Sequence, residues 1–139
     1  MPALLIIAHA PLASSLKAVA VHAYPDCSRA LLALDVTPAM SPDVVEAQAR
    51  RMLAQAASPQ ALILTDVFGA TPCNVAQRLA DDSHVKVVAG VNVPMLWRTL
   101  CYADKSLDAM VARALAGATQ GVMQVTSAQP QDRLSQAEG

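Results

Sequence analysis

The chain has 139 residues, of which 54% are hydrophobic, 15% charged and 3% aromatic, and its formal net charge is −1. That length and balance suit one domain burying about 68% of its unfolded surface, and they exclude wholesale disorder. With no Lys/Arg cluster and almost no aromatic rings there is nothing to hold a nucleic-acid backbone or stack bases, and no basic face for an anionic membrane.

The residues Ala3-Leu4-Leu5-Ile6-Ile7-Ala8 form a continuous apolar run that predicts a buried strand. The run is too short to span a bilayer and no basic segment precedes it, so a cytoplasmic protein is expected. His9 follows at once, and Pro11 suits the first turn of a helix. Leu12, Leu16, Val19, Ala20 and Ala23 recur at helical spacing until Pro25. Ala30 to Leu34 predict a second buried strand, closing at Asp35-Val36. Ser41-Pro42 is an N-cap and N1 pair opening a helix through Val44, Val45, Ala49, Met52, Leu53 and Ala56, which Ser58-Pro59 terminates.

Ala61 to Thr65 are the third strand, delivering Asp66. After the loop Val67-Phe68-Gly69-Ala70, Thr71-Pro72 repeats the N-cap and N1 pattern before a helix through Val75, Ala76 and Leu79. Val85 to Ala89 are the fourth strand, and Gly90-Val91-Asn92-Val93 the loop after it. Pro94 starts a helix through Leu96, Trp97 and Leu100, and a further helical run covers about 105–117. Gly121 to Val125 predict a short last strand. Residues 127–139 are polar and aperiodic, a flexible C-terminal tail beyond a domain of residues 1–126.

Strands alternating with helices predict an α/β fold, a single flavodoxin-like open sheet with helices on both faces. Right-handed crossovers favour the mostly parallel strand order 2-1-3-4 with the last strand on the far edge. In that order the chain changes direction between strands one and three, so a crevice opens at their carboxyl ends, where His9 and Asp66 stand. The helices after both strands begin near Pro11 and Thr71-Pro72, and their N-termini are expected to form an anion site.

A histidine, a carboxylate and an anion site together suggest phosphoryl transfer. If Asp66 accepts a hydrogen bond from Nδ1–H of His9, the lone pair lies on Nε2, and the carboxylate steadies the charge that the ring gains. The Thr71 hydroxyl and the N–H groups after it would hold phosphoryl oxygens, and Gly69 would let the backbone come close. The bland alternatives are a structural histidine, a loop-capping Asp66 and an ordinary helix start at Thr71. The convergence of all three on one crevice favours function. His22 is expected as a solvated helix-end residue, and His84 has no assigned role. Arg98 is expected as a solvated helix residue rather than a contact to a partner's phosphate or acidic surface. Cys27, Cys73 and Cys101 are odd in number, widely spaced and without a C-x-x-C pair, so three reduced thiols are expected, with neither disulfide nor zinc.

Three stretches resemble signatures of one family. They are Ile7-Ala8-His9-Ala10-Pro11-Leu12-Ala13, Asp66-Val67-Phe68-Gly69-Ala70-Thr71-Pro72-Cys73-Asn74, and Gly90-Val91-Asn92-Val93-Pro94-Met95-Leu96. Their spacing is similar to that of the mannose-type enzyme IIA domains of the bacterial sugar phosphotransferase system, over residues 1 to about 126. The resemblance implies that Nε2 of His9 takes a phosphoryl group from the phosphocarrier HPr and passes it to an enzyme IIB domain or, in stand-alone relatives, to a regulatory target. It implies Asp66 as the His9 partner, Thr71 as a phosphoryl ligand, and a homodimer with an antiparallel last strand at the sheet edge. It also implies no metal or organic cofactor. Ala10 departs from the glycine common after the histidine, and Val36 to Ala39 lack the glycine often found after strand two. The phosphotransferase subunit of a dihydroxyacetone kinase system is one alternative. A receiver domain phosphorylated on Asp66 is another, disfavoured because Ala8-His9-Ala10 lacks the acidic pair that holds Mg²⁺.

Overall fold

The computed structural model describes residues 2–101 and 106–128. The elements in chain order are β1 (Ala3–His9), α1 (Leu12–Ala23), β2 (Leu31–Val36), α2 (Pro42–Gln55), β3 (Ala61–Thr65), α3 (Thr71–Leu79), β4 (Val85–Ala89), α4 (Val93–Leu100) and α5 (Leu107–Gln120). The four strands form one parallel sheet in the order β2-β1-β3-β4. Register is set by pairs such as Ile6 with Ala33 and with Leu64.

The apolar runs are continuous because both faces are covered. Leu4, Ile6, Ala8, Leu62, Leu64 and Val88 meet the buried sides of α1, α4 and α5. Leu5, Ile7 and Ile63 meet Val45 and Ala49 of α2 and Val75, Ala76 and Leu79 of α3. All five residues of β3 are buried, and each fully buried Leu or Ile contributes about 1.5–3 kcal/mol by leaving water. Tight packing extends to the helix pair on the first face. A Cβ at Gly117 of α5 would stand 2.5 Å from Cγ of Arg98 on α4, so only glycine lets the two helices lie this close.

Three local expectations change. Thr71 is the first residue of α3 and Ala70 is its N-cap, so no side chain caps that helix. Helix α4 begins one residue earlier than Pro94, with the Asn92 side chain accepting from the Met95 N–H. Residues 121–125 form no strand among the described residues. A strand needs a ladder partner, and here the chain leaves α5 with Val122, Met123 and Val125 exposed at 71%, 69% and 83%. The tail expected over 127–139 lies outside the described residues from position 129 onward.

The expectation of three free thiols is corrected. Cys27 and Cys101 form a disulfide with Cα atoms 5.3 Å apart, while Cys73 is free and buried. Cys27 lies in the turn between α1 and β2, and Cys101 caps the end of α4. Their 74-residue separation in sequence is closed by packing of the two helices, whose Tyr24 and Trp97 rings meet edge-on at 5.1 Å. The bridge lies at the amino-terminal end of the sheet, beside Ala3, Leu4 and Leu31 in a cleft of about 280 Å³. Among the described residues no helix is long and apolar enough to cross a membrane.

Candidate functional site

Parallel pairing of β1 with β3 brings Ile7 level with Thr65, so the next residues of the two strands leave the sheet side by side. His9 and Asp66 thereby meet, although 57 positions separate them in sequence. Oδ2 of Asp66 lies 2.6 Å from Nδ1 of His9 and also accepts the His9 backbone N–H at 2.9 Å. Oδ1 accepts the N–H of Val67 at 2.9 Å. Both carboxylate oxygens are engaged, and the Asp66 side chain is only 13% exposed while the His9 side chain is 53% exposed. Burial alone would raise the Asp66 pKa. The hydrogen bonds from the His9 backbone, the His9 ring and Val67, with the ring's charge, outweigh it and hold the carboxyl below its ordinary range.

An ionised Asp66 fixes the ring's tautomer. When the ring is neutral, a proton on Nδ1 facing the carboxylate leaves the lone pair on Nε2, on the side of the ring turned away from Asp66. That form of the ring has a lone pair facing outward and a carboxylate behind it.

The surroundings are less symmetric than the sequence suggests. Asn74 makes the first backbone bond of α3, to the Ala70 carbonyl, so the N–H groups of Thr71 and Cys73 precede that ladder with no side chain capping them. At α1 the equivalent place is taken. Pro11 stands at its N-cap after a cis Ala10-Pro11 bond, and the Asp35 carboxylate accepts the Ser14 N–H at 3.0 Å. The two helix N-termini thus differ: a carboxylate accepts from the Ser14 N–H of α1, whereas no side chain caps α3.

Gly69 is placed in the loop between Asp66 and α3 at φ +91°, a left-handed conformation that favours glycine. No protein atom lies within 4 Å of where its Cβ would stand, so backbone conformation rather than crowding within the protein is what calls for glycine there. Val67 and Phe68 are exposed beside the histidine, Phe68 at 75%. On β3, Thr65 points to the same sheet face as Ile63 and hence toward α3. Its hydroxyl is the buried side-chain polar atom left without a partner among the described residues.

Other candidates fall away from this place. Arg98 lies in the last turn of α4 with an exposed head. His22 is exposed at the end of α1, and His84 is bound to the Asp81 carboxylate before β4. Among the described residues no group of three or more His, Cys, Asp or Glu could hold a metal ion. Sequence reasoning missed Asp35 and Thr65. Asp35 was visible as a carboxylate ending the strand next to β1, whereas nothing in the pattern marks a buried hydroxyl.

Fold and site together define an open α/β domain with a carboxylate-backed histidine at its topological switch point. The family profile described as "PTS system fructose IIA component" matches residues 3–115. The chain belongs to the enzyme IIA family of the sugar phosphotransferase system, of the mannose/fructose/sorbose type. The mannose-specific EIIAB component of Escherichia coli K12 is 39% identical over 79 residues, which cover 55% of this chain and 24% of that protein. The chain thus matches about a quarter of the length of its curated relatives. Among solved structures, the mannose/sorbose-specific IIA subunit of Enterococcus faecalis superposes with a TM-score of 0.82 at 22% identity, covering 92% of this chain and 97% of that one. The EIIA component from Streptococcus agalactiae gives 0.80 at 22% identity, over 89% and 97%. At these identities the two structures speak to the fold.

Proposed function

We propose that this chain is a phosphoryl-transfer protein in which Nε2 of His9 accepts a phosphoryl group from phospho-HPr and passes it to an enzyme IIB domain or a regulatory target. The observation that carries the reading is the 2.6 Å contact between Nδ1 of His9 and Asp66 behind a ring that is half exposed. In the transfer step the Nε2 lone pair forms the new N–P bond. The N–P bond of the donor breaks and its electron pair returns to the donor ring. The Nδ1 proton stays on the His9 ring, held by Asp66, which stabilises the positive charge that develops there. The Thr71 hydroxyl and the N–H groups of Thr71 and Cys73 are the ligands for the phosphoryl oxygens, and the turn at Gly69 brings them round to His9.

No metal or organic cofactor enters this step. Exposed Val67 and Phe68 supply an apolar rim that a phosphocarrier can cover, excluding water from the labile bond. The apolar segment Val122 to Val125 suits burial in a homodimer, and the protein is expected to work in the cytoplasm, where phospho-HPr resides. A receiver-type reaction at Asp66 is disfavoured by the engagement of both its carboxylate oxygens.

Incubation with radiolabelled phospho-HPr tests the reading. Acid-labile, base-stable label that is lost in His9→Ala is expected. Hydroxylamine-sensitive label on Asp66, or no label at all, overturns it.

A further inference from the structure

One charged group at the switch point has no task in the relay. Asp35, the penultimate residue of β2, lies beside Ala8, the residue before His9. Its Oδ1 accepts the Ser14 N–H at 3.0 Å and its Oδ2 the Ser14 hydroxyl at 2.5 Å. Ser14 lies in the first turn of α1, so Asp35 reaches across from another strand to do what Ser41, Asn92 and Ser106 do locally for α2, α4 and α5. Helix α3 has no such side chain. Of the two helix N-termini that follow β1 and β3, one therefore carries a fixed negative charge and the other is open.

We propose that Asp35 is a positioning residue for the phosphoryl group on His9: by filling the N-terminus of α1 with a carboxylate, it directs the incoming dianion to α3 alone. The proposal rests on the phosphoryl-relay reading of His9. Two helix N-termini of equal strength would share the dianion between them and hold it off the line from Asp66 through Nδ1 and Nε2. With α1 already neutralised, the attraction has one direction, toward Thr71. The same charge also works against retention of the group, because it repels phosphohistidine more than free histidine. For any unit charge and a dianion separated by ~10 Å in water-like surroundings, the repulsion shifts the equilibrium by about fourfold. Asp35 thus keeps the phosphoryl group both aimed and easy to pass on.

Asp35→Asn separates charge from structure. The amide oxygen still accepts from the Ser14 N–H and the amide nitrogen can donate to the Ser14 hydroxyl, so the α1 cap is retained. Ser14→Ala does the reverse, weakening the cap and leaving the charge in place. The measurements are the phosphoryl equilibrium with HPr, the lifetime of the isolated phosphoprotein and thermal melting as a check on folding. Asp35→Asn is expected to melt near the wild type, to shift the equilibrium toward the phosphorylated protein by about fourfold, and to lengthen its lifetime. Ser14→Ala is expected to leave the equilibrium near that of the wild type. If Asp35→Asn does not fold, Asp35→Ser, an uncharged acceptor, carries the same expectation. An unchanged equilibrium and lifetime on loss of the charge overturns the proposal, and so does an equal shift in Ser14→Ala. A wild-type protein that takes no label overturns the relay reading and this proposal with it, whereas normal labelling with an unresponsive Asp35 removes this proposal alone.

Discussion

Replacing Asp66 by Asn exchanges one oxygen for an amide nitrogen and leaves the site no satisfactory arrangement. The carboxylate accepts three N–H bonds, two at Oδ2 from His9 and one at Oδ1 from Val67, all at 2.6–2.9 Å. An amide has one acceptor oxygen. Turned with that oxygen toward His9, it sets its NH₂ against the Val67 N–H. Turned the other way, it sets NH₂ against the His9 backbone N–H and makes Nδ1 an acceptor, which moves the ring proton to Nε2 and removes the nucleophile. Even in the better orientation the counter-charge to the developing imidazolium is gone. A charge-assisted hydrogen bond is worth about 1.5–3 kcal/mol, and one donor facing another adds a further penalty of about 1–3 kcal/mol. A total near 3–5 kcal/mol lowers the transfer rate by about a hundred- to several-thousandfold. The equivalent change in the serine-protease triad costs about 10⁴. Single-turnover labelling by phospho-HPr in a quenched-flow apparatus reads the rate, with circular dichroism as the control for folding. A rate within threefold of the wild type would refute the tautomer mechanism.

The remaining predictions concern stability. Reduction of the Cys27–Cys101 bridge, or Cys27→Ser, is expected to lower unfolding free energy by about 4 kcal/mol, the chain-entropy value for a loop of this length. Thermal melts with and without reductant check it, and identical melts would show that the bridge restrains nothing. Asp81 accepts the N–H groups of Val85, Ser83 and His84, which hold its pKa down from 3.8 to about 2. Because the folded value lies below the unfolded one, its contribution is complete above about pH 5 and drains away as pH falls through 4 toward 2. Urea unfolding of Asp81→Asn against the wild type is expected to show a stability gap at pH 7 that narrows at pH 3.

The parts of this molecule that could be read in advance are those that depend on the backbone pattern. Ile6, Leu62 and Leu64 belong to unbroken apolar runs because their sheet is covered twice, and parallel strands joined by helices permit few orders. Once the order β2-β1-β3-β4 is chosen, His9 and Asp66 are neighbours by register alone. What was illegible depends on side chains that meet across helices. Cys27 finds Cys101 only because Tyr24 and Trp97 pack α1 against α4. Asp35 reads in sequence as a strand end, and its bond to Ser14 exists only because α1 packs back beside β2. The pattern of Gly121 to Val125 fits an extended chain, but no local pattern supplies the partner that would make it a strand.

The sequence separation of 57 between His9 and Asp66 bears on when the site comes into being. A growing chain that has emerged as far as Gln60 holds the histidine, α1 and the capping Asp35, yet its imidazole has nothing to fix its tautomer. The dyad closes only after β3 has threaded in beside β1, the central pairing of the sheet. Formation of the dyad and completion of the central strand pairing are therefore a single event, and on the proposed relay a copy truncated before β3 is expected to take no label from phospho-HPr.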